Sequence, residues 1–554
     1  MDNTVLKSPE SYLSTTGLGG GLPSHRRPKP TITDAMYFVS RIGERYLWVD
    51  SLCIIQDDSS TKMLQINAMD RIYTSALATI VAAYGTSCQA GLHGVRPNSG
   101  RWKQHVINIR GIELANRQTL LPGYGPRVWA TRGWTYQEHA LSKRLIHFAP
   151  DGIVFESEDG ITNEDVHPPL HNQETAHSFP EGRGLPMGAA VVKALSSLPL
   201  LQHFAMAVSF YSMRTLTYQK DGLNAFEGIL NVMRLSFRRD FLYGLPSSEL
   251  DIALLWRPLS GLQRRVHDDT QEALFPTWSW VAWRGRVAFP VYESAHFSRI
   301  TFVDAEDGTI EFTTRDWRGA DTYPDNSSWQ RKSLDIDSPP GYFEAGNPHV
   351  IYPHPVSKNL PSTVASRKFL KPSSHVLTIS AFTASISARP GQGILKMWKK
   401  ELDIEPDPGV NSRTLEDRFG RFCGTVYIHG DNNNNNNNAP SEESSSPRLY
   451  EVVAICRTAY GDANEAWEDP PEDDADVLTL REGYAQRQER RQRSDEWGAA
   501  GYWNHYEFEL KWKAYDVLVI EWRDDGLAFR VGVGVCFVEA FWDAAPKRKR
   551  ILLV

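Results

Sequence analysis

The sequence has few cysteines and no closely spaced pair of them. Its 554 residues contain five cysteines, Cys53, Cys88, Cys423, Cys456 and Cys536, and no two of them form a CxxC motif. Both a secreted disulfide framework and a cysteine-based zinc site need more, and closer, cysteines than this. We therefore expect reduced thiols in a cytoplasmic protein, with no metal and no cofactor.

Long apolar runs and an excess of positive charge are also missing. No stretch approaches the roughly 18 apolar residues of a membrane span, and the opening residues lack the apolar segment of a secretory signal. The formal net charge of −7 gives no long-range attraction to nucleic acid or to an anionic membrane surface. We expect protein partners, no nucleic acid and no membrane span, and the oligomeric state stays open.

Residues 30–160 carry alternating helical and strand patterns. Ala35, Phe38 and Val39 recur at helical spacing, and the apolar residues 46–49 and 77–83 read as two buried strands with a helix between them. Strand, helix and strand in that order predict a parallel crossover. The fold expected for the amino-terminal domain is α/β, a parallel sheet with flanking helices.

The rest of the chain reads differently. Residues 1–29 form a polar lead-in and 161–195 a linker or surface loop, both rich in glycine and proline. Residues 196–554 are first helical and then β-rich, an α+β region with a hairpin expected at "RDDG". Disordered inserts are expected near 430–447, around the asparagine tract, and near 465–497, where charge is dense.

Four blocks of the first 160 residues occur together and in a fixed order. They are "YLWVDSLCIIQDD", "MDRIYTSALATIVAAYG", "GLHGVR" and "RVWATRGWTYQEHALSKRLIHF". In these blocks the sequence resembles the fungal heterokaryon incompatibility family, known as the HET domain. The resemblance covers about residues 30–160.

The resemblance implies a cytosolic effector of filamentous fungi, which acts in non-self recognition and triggers cell death when unlike strains fuse. The family is distantly similar to Toll/interleukin receptor (TIR) domains, some of which cleave NAD, so NAD hydrolysis is an alternative function. Family members carry a strand block of the pattern Y-x-A-L-S-Y-x-W-G where this chain has "SYLSTTGLGGG". A truncated, inactive relic is therefore a third expectation.

Two carboxylates are the candidate catalytic residues. Asp50 ends the predicted strand 46–49, where the loops of a parallel sheet bind ligands. Glu138 lies among aromatic residues, where burial raises the pKa of a carboxylate and prepares it for acid–base work or for stabilising a cationic ribose. Each also has a structural interpretation: Asp50 as a helix cap, and Glu138 as an ion-pair partner of Arg127, Arg132 or Arg144.

Other chemically capable residues are interpreted as structural. Cys53 lies in an apolar run with no histidine identifiable as its base, so we expect a buried thiol. We expect His139 and His147 to be satisfied within the fold and away from Glu138. Trp278 and Trp280 alternate on one predicted strand face and should fill a core.

Overall fold

The structure is a computed structural model of the chain. It describes residues 28–54, 64–66, 68–96, 105–115, 128–149, 152–157, 160–164, 200–237, 241–247, 250–289, 376–390, 410–429, 447–458 and 514–554, and between 296 and 353 the backbone of short strands. Within these ranges, no helix is both long enough and apolar enough to cross a bilayer. The linker predicted at 161–195 and the inserts predicted near 430–447 and 465–497 fall almost wholly outside them.

The chain divides into two compact units. The amino-terminal unit comprises residues 1–197, 214–217 and 224–232, and the carboxyl-terminal unit comprises 198–213, 218–223 and 233–554. Two short segments that follow residue 197 in sequence thus belong to the amino-terminal unit.

The amino-terminal unit contains five helices and six strands within the described ranges. The helices are α1 (Pro30–Arg41), α2 (Asp50–Cys53), α3 (Met69–Ser75), α4 (Val128–Thr131) and α5 (Thr135–Leu141). The strands are β1 (Thr79–Ala82), β2 (Val106–Ile109), β3 (Ile112–Ala115), β4 (Arg144–Ala149), β5 (Gly152–Ser157) and β6 (Gly160–Asn163).

The sheet of this unit is mixed. Its strand order is β1-β4-β5-β6; β1 runs parallel to β4, and the other two neighbouring pairs are antiparallel. The prediction of a parallel sheet is therefore right for one pair and wrong for the others, since the short β4–β5 connection allows only an antiparallel return. The α/β class with flanking helices is confirmed.

The strand predicted at 46–49 is absent, and the backbone there is irregular. These residues are exposed or half-buried rather than buried, and no described strand pairs with them. An apolar run was mistaken for a buried strand because its hydrophobicity does not reveal whether a neighbouring strand exists to satisfy its backbone.

Helix α1 forms as its sequence predicts. Pro30 occupies the first turn, where its missing N–H costs nothing, and Gly43 follows the helix with a φ of +84°, the left-handed conformation that glycine adopts freely. The Asp34 carboxylate accepts a hydrogen bond from the Leu92 N–H at 2.9 Å and pairs with Arg96. The Asp34 carboxylate thereby holds the loop that follows β1.

The two faces of the sheet pack differently. On one face, Phe38 of α1 meets Phe148 of β4 edge-on, with ring centroids 5.0 Å apart. On the other, Val81, Leu145 and Ala149 pack with Trp129 of α4. Because side chains alternate along a strand, His147 of β4 lies on the face that carries Trp129.

The carboxyl-terminal unit begins with helices and continues as strands. Its helices are α6 (Leu200–Ser212), α7 (Glu227–Phe237, the first residues of which belong to the other unit), α8 (Leu250–Ala253) and α9 (Val538–Asp543). Its short pairs are β7 (Phe241–Leu242) with β8 (Leu245–Pro246), β9 (Arg257–Pro258) with β12 (Val287–Ala288), and β10 (Gln263–Arg264) with β11 (Trp283–Arg284).

A large sheet and a small one complete this unit. The large sheet contains β13 (His296–Ser298), β14 (Ile300–Asp304), β15 (Ile310–Thr314), β19 (Leu377–Pro390), β20 (Asn411–Glu416), β21 (Phe422–Ile428), β22 (Arg448–Thr458), β23 (Ala514–Trp522), β24 (Ala528–Phe537) and β25 (Lys547–Leu553). The small one contains β16 (Trp329–Lys332), β17 (Gly341–Glu344) and β18 (Asn347–Pro353). The β-rich region is confirmed.

Two sequence patterns in this unit have different outcomes. The hairpin expected at "RDDG" joins β23 to β24, and its Gly526 has a φ of +82°. Trp278 and Trp280 are fully buried as expected, but Trp278 lies in a turn and Trp280 in a 3₁₀ helix rather than on one strand face. Their indole and backbone hydrogen bonds, such as Trp280 Nε1 to the Gly244 carbonyl at 3.0 Å, account for the irregular path.

Candidate functional site

Asp50 is the first residue of the short helix α2. Its carboxylate accepts a hydrogen bond from the Ser51 N–H at 2.6 Å, and the residue is exposed. The preceding Val49 is extended and makes no side-chain cap. The Asp50 carboxylate therefore holds the first backbone N–H that follows it in the helix.

Glu138 lies on α5, and a network of hydrogen bonds fixes the entry to this helix. The Thr135 hydroxyl donates to the carbonyls of Trp129 at 2.5 Å and Arg132 at 2.8 Å. The Gly133 N–H donates to the Thr215 carbonyl at 2.7 Å. The turn between α4 and α5 is thus tied to the segment 214–217 of the same unit.

Gly133 packs closely against Leu216. A Cβ there would lie 2.4 Å from Cδ2 of Leu216, far closer than atoms pack. The close approach places Arg214 beside α5, where its guanidinium donates to Thr135 Oγ1 at 3.0 Å and lies 5.0 Å from the centre of the Tyr136 ring.

Glu138 and Asp50 interact electrostatically. Burial is the largest cause that raises the pKa of Glu138, to about 7, and the negative charge of Asp50 raises it further. The charges of Arg132 and Arg214 and a hydrogen bond from Trp129 act in the opposite direction. The two carboxylates singled out in the sequence therefore lie in one polar cluster, together with the arginines.

Tyr73 of α3 completes this cluster. Its hydroxyl donates a hydrogen bond to Glu138, and burial, followed by the charges of Glu138 and Asp50, raises its pKa well above the ordinary value. The Tyr73 hydroxyl therefore stays protonated at neutral pH. The ring of Trp48 meets the Tyr73 ring edge-on at 6.1 Å.

We call Asp50, Tyr73, Trp129 and Glu138 the carboxylate cluster. It combines one carboxylate close to half protonation at neutral pH with a second carboxylate and two neutral hydrogen-bond donors. A carboxyl group with a raised pKa beside a second carboxylate is typical of acid–base and glycosidic chemistry. Arginines near Glu138 equally fit the structural interpretation.

Sequence reasoning found half of the carboxylate cluster. Tyr73 and Trp129 lie within the quoted blocks but were not singled out, because a phenol or indole that donates to a carboxylate looks in sequence like any core aromatic. Arg214 lies far along the chain and no local pattern connects it with α5. Asp57 and Asp58, which follow Asp50 in sequence, lie outside the described residues.

A second group of polar side chains lies beside this cluster. His139 Nε2 and His147 Nε2 lie 3.2 and 3.1 Å from the same carboxylate oxygen of Glu156, and all three side chains are buried. Burial alone raises the pKa of Glu156, but the two histidine hydrogen bonds outweigh it and hold that pKa well below its usual range. Among the described residues, this is the one group of three whose atoms could hold a metal ion.

The remaining candidates have structural surroundings. The Cys53 thiol is half-buried rather than buried, and its sulfur accepts a hydrogen bond from the Val49 N–H at 3.4 Å. The guanidinium of Arg144 lies 3.4 Å from the Leu77 carbonyl. Arg127, the third predicted partner of Glu138, lies outside the described residues.

The fold and the site together define a small mixed α/β domain that contains a carboxylate cluster. Residues 11–138 match the family model described as Heterokaryon incompatibility protein (HET). The chain therefore carries a HET domain, as its sequence predicted, and the matched range includes the whole carboxylate cluster. No curated protein and no solved structure matches the chain.

Proposed function

We propose that this protein is a heterokaryon incompatibility effector whose HET domain hydrolyses the N-glycosidic bond of a nucleotide such as NAD. The observation that supports the proposal is the electrostatic interaction of Asp50 with Glu138 within that domain. Cell death through loss of NAD would follow in a filamentous fungus. The protein would act in the cytoplasm and be triggered by protein partners.

The cluster has the chemistry that glycosidic cleavage needs. The bond from the ribose to nicotinamide breaks as the sugar develops positive charge, and carboxylates stabilise that charge. Water then adds to the sugar carbon and gives up a proton. Asp50 and Glu138 would face the ribose as charge stabiliser and proton acceptor, with Tyr73 and Trp129 fixing the Glu138 carboxylate by their hydrogen bonds.

A second function, assembly with protein partners, has its own supporting observation. The hairpin β2–β3 exposes five apolar side chains, each with roughly half or more of its surface accessible: Val106, Ile107, Ile109, Ile112 and Leu114. Exposed apolar groups on a two-stranded hairpin are typical of an interaction surface. In that case Arg132 and Arg214 would hold Glu138 as a structural ion pair, with no substrate involved.

Inducible expression in a filamentous fungus distinguishes these functions. The wild-type chain, Glu138→Gln and Asp50→Asn are compared, with Glu113→Gln in the exposed hairpin as the matched control. Viability and cellular NAD are followed together, and soluble protein is quantified for each variant. Glutamine and asparagine keep the side-chain shapes but cannot ionise.

We expect wild type and Glu113→Gln to kill with at least about a 10-fold loss of NAD, and both cluster variants to be harmless, because each removes a transition-state charge. If cells die without NAD loss, and the cluster variants kill as well as wild type does, the function would be assembly with protein partners and not hydrolysis. No death from folded wild-type protein would indicate an inactive relic.

A further inference from the structure

We propose that His139, His147 and Glu156 bind a divalent transition metal ion, with zinc as the first choice. We call these three residues the histidine cluster. His139 and His147 were expected to be merely satisfied within the fold. The inference is independent of the proposed function, since it depends on a different set of side chains that lies beyond the matched range 11–138.

The fold places the three side chains on one face of the sheet. His147 of β4 stands opposite Val154 of β5, so Glu156, two residues along β5, is its diagonal neighbour on the same face. His139 comes from α5. One ligand atom from each residue lies within 4.8 Å of the other two.

The distances suit a tetrahedral metal. Zinc lies about 2.0–2.2 Å from histidine nitrogen and carboxylate oxygen, which sets neighbouring ligand atoms roughly 3.3 Å apart. The Glu156 oxygen lies 3.2 Å from His139 Nε2 and 3.1 Å from His147 Nε2. Two edges of the tetrahedron are therefore already present, and a small inward shift of the imidazoles would close the third.

The donor set also selects the class of metal. Two imidazoles and one carboxylate, with a fourth position left for water, are the ligands of hydrolytic zinc sites. The same set binds non-haem iron with open positions. Calcium and magnesium prefer oxygen ligands throughout, so they fit this cluster poorly.

The two imidazoles can accept a metal by moving a proton from one ring nitrogen to the other, without a change in charge. Without metal, the Nε2–H of each imidazole donates to Glu156; with metal, each neutral imidazole carries its proton on Nδ1 and offers the Nε2 lone pair. Exposed fractions of 9% for His139, 4% for His147 and 6% for Glu156 keep water away from these bonds. A buried ion here would exchange slowly with solvent.

An ion at this place would brace Trp129. The Trp129 ring meets the His139 ring edge-on at 5.5 Å and the His147 ring at 6.1 Å. Metal binding would fix both imidazoles. The Trp129 indole of α4, which contacts them, would then be held in place as well. A structural role of this kind predicts a change in stability whether or not the protein is an enzyme.

The test measures metal content and thermal unfolding of the full chain purified from zinc-supplemented culture. Glu156→Gln and His147→Gln remove one ligand each. His93→Gln, which changes a histidine of the same unit whose ring contacts the Tyr84 ring, is the matched control. Elemental analysis separates zinc from iron, and the metal-free protein is titrated with Co²⁺, whose visible spectrum reports tetrahedral nitrogen and oxygen ligands.

We expect about one ion per chain in wild type and in His93→Gln, and at least about a 10-fold weaker binding in the two ligand variants. Added Zn²⁺ should raise the unfolding temperature of the metal-free wild type and leave that of Glu156→Gln unchanged. If a variant does not fold, the Co²⁺ spectrum of wild type decides alone. If the wild-type protein takes up no metal and Zn²⁺ does not change its unfolding temperature, the three side chains form only a hydrogen-bonded network. That result would overturn the proposal.

Discussion

Glu138 holds a proton more tightly in the folded protein than a solvent-exposed glutamate does. Burial and the charge of Asp50 raise its pKa from 4.5 to about 7, against the opposing charges of Arg132 and Arg214. A raised carboxyl pKa contributes stability that is fully present below about pH 4.5 and is lost as the pH rises through about 7. The cluster therefore makes the fold less stable at alkaline pH.

Replacing Glu138 by glutamine should remove that pH dependence. Between pH 5 and pH 8 we expect the unfolding free energy of wild type to fall by up to about 3 kcal/mol more than that of Glu138→Gln. Denaturant unfolding at both pH values, in the presence of a chelator that keeps the histidine cluster free of metal, measures the difference. Glu113→Gln should keep the wild-type slope, and an unchanged slope in Glu138→Gln would mean that Glu138 titrates normally.

Single residues were predictable where their chemistry stands out in the sequence. Glu138 and Asp50 could be singled out because carboxylates among apolar and aromatic residues are unusual. Tyr73, Arg214 and Glu156 could not, because their roles depend on partners brought close only by folding. The approach of His139 and His147 to one carboxylate oxygen likewise depends on the register of β4 against β5.

At the scale of elements, the turn between α4 and α5 determines where Glu138 lies. Helix α4 ends at Thr131 and α5 begins at Thr135, and Gly133 between them meets Leu216 of the segment 214–217. Local helical propensity favours continuity. The tertiary hydrogen bonds of Gly133 and Thr215 override it.

Gly133→Ala should destabilise the amino-terminal unit. The new methyl group would displace the Leu216 side chain, and overpacking of this kind costs about 1–3 kcal/mol. Thermal unfolding of the single variant and of Gly133→Ala/Leu216→Ala tests the cause, because the second change makes room for the methyl group. The double variant should lose less stability than the sum of the two single variants. Strict additivity would contradict the contact.

Elements with strong periodic signals were predicted best. Helix α1 and the hairpin of β23 and β24 both follow from local apolar patterns and turn residues. The strand expected at 46–49 failed because strand pairing is a tertiary property. The expected parallel sheet is mixed for the same reason, since the direction in which strands pair is also a tertiary property.

At the scale of the whole molecule, the chemistry concentrates in the amino-terminal unit. Both the carboxylate cluster and the histidine cluster belong to it, together with the match to the HET family. The carboxyl-terminal unit has a core of strands and buried tryptophans. One of its buried arginines, Arg530, donates to the backbone carbonyls of Leu254 and Trp256 and stacks 3.7 Å from the Trp256 ring centre.

Because the carboxylate cluster lies in the HET domain, the proposed hydrolysis would take place there. Burial and the charge of Asp50 both disfavour the ionised form of Glu138, so keeping Glu138 ionised costs stability. Such costs are typical of functional sites.

The most direct measurement is nicotinamide release from NAD by the purified full chain, with Glu138→Gln, Asp50→Asn and the control Glu113→Gln beside it. We expect turnover by wild type and Glu113→Gln and at least about a 100-fold lower rate for each cluster variant, because each loses a charge that acts in the transition state. Equal rates in all four proteins, or no release by folded wild-type protein, would contradict the proposed hydrolysis.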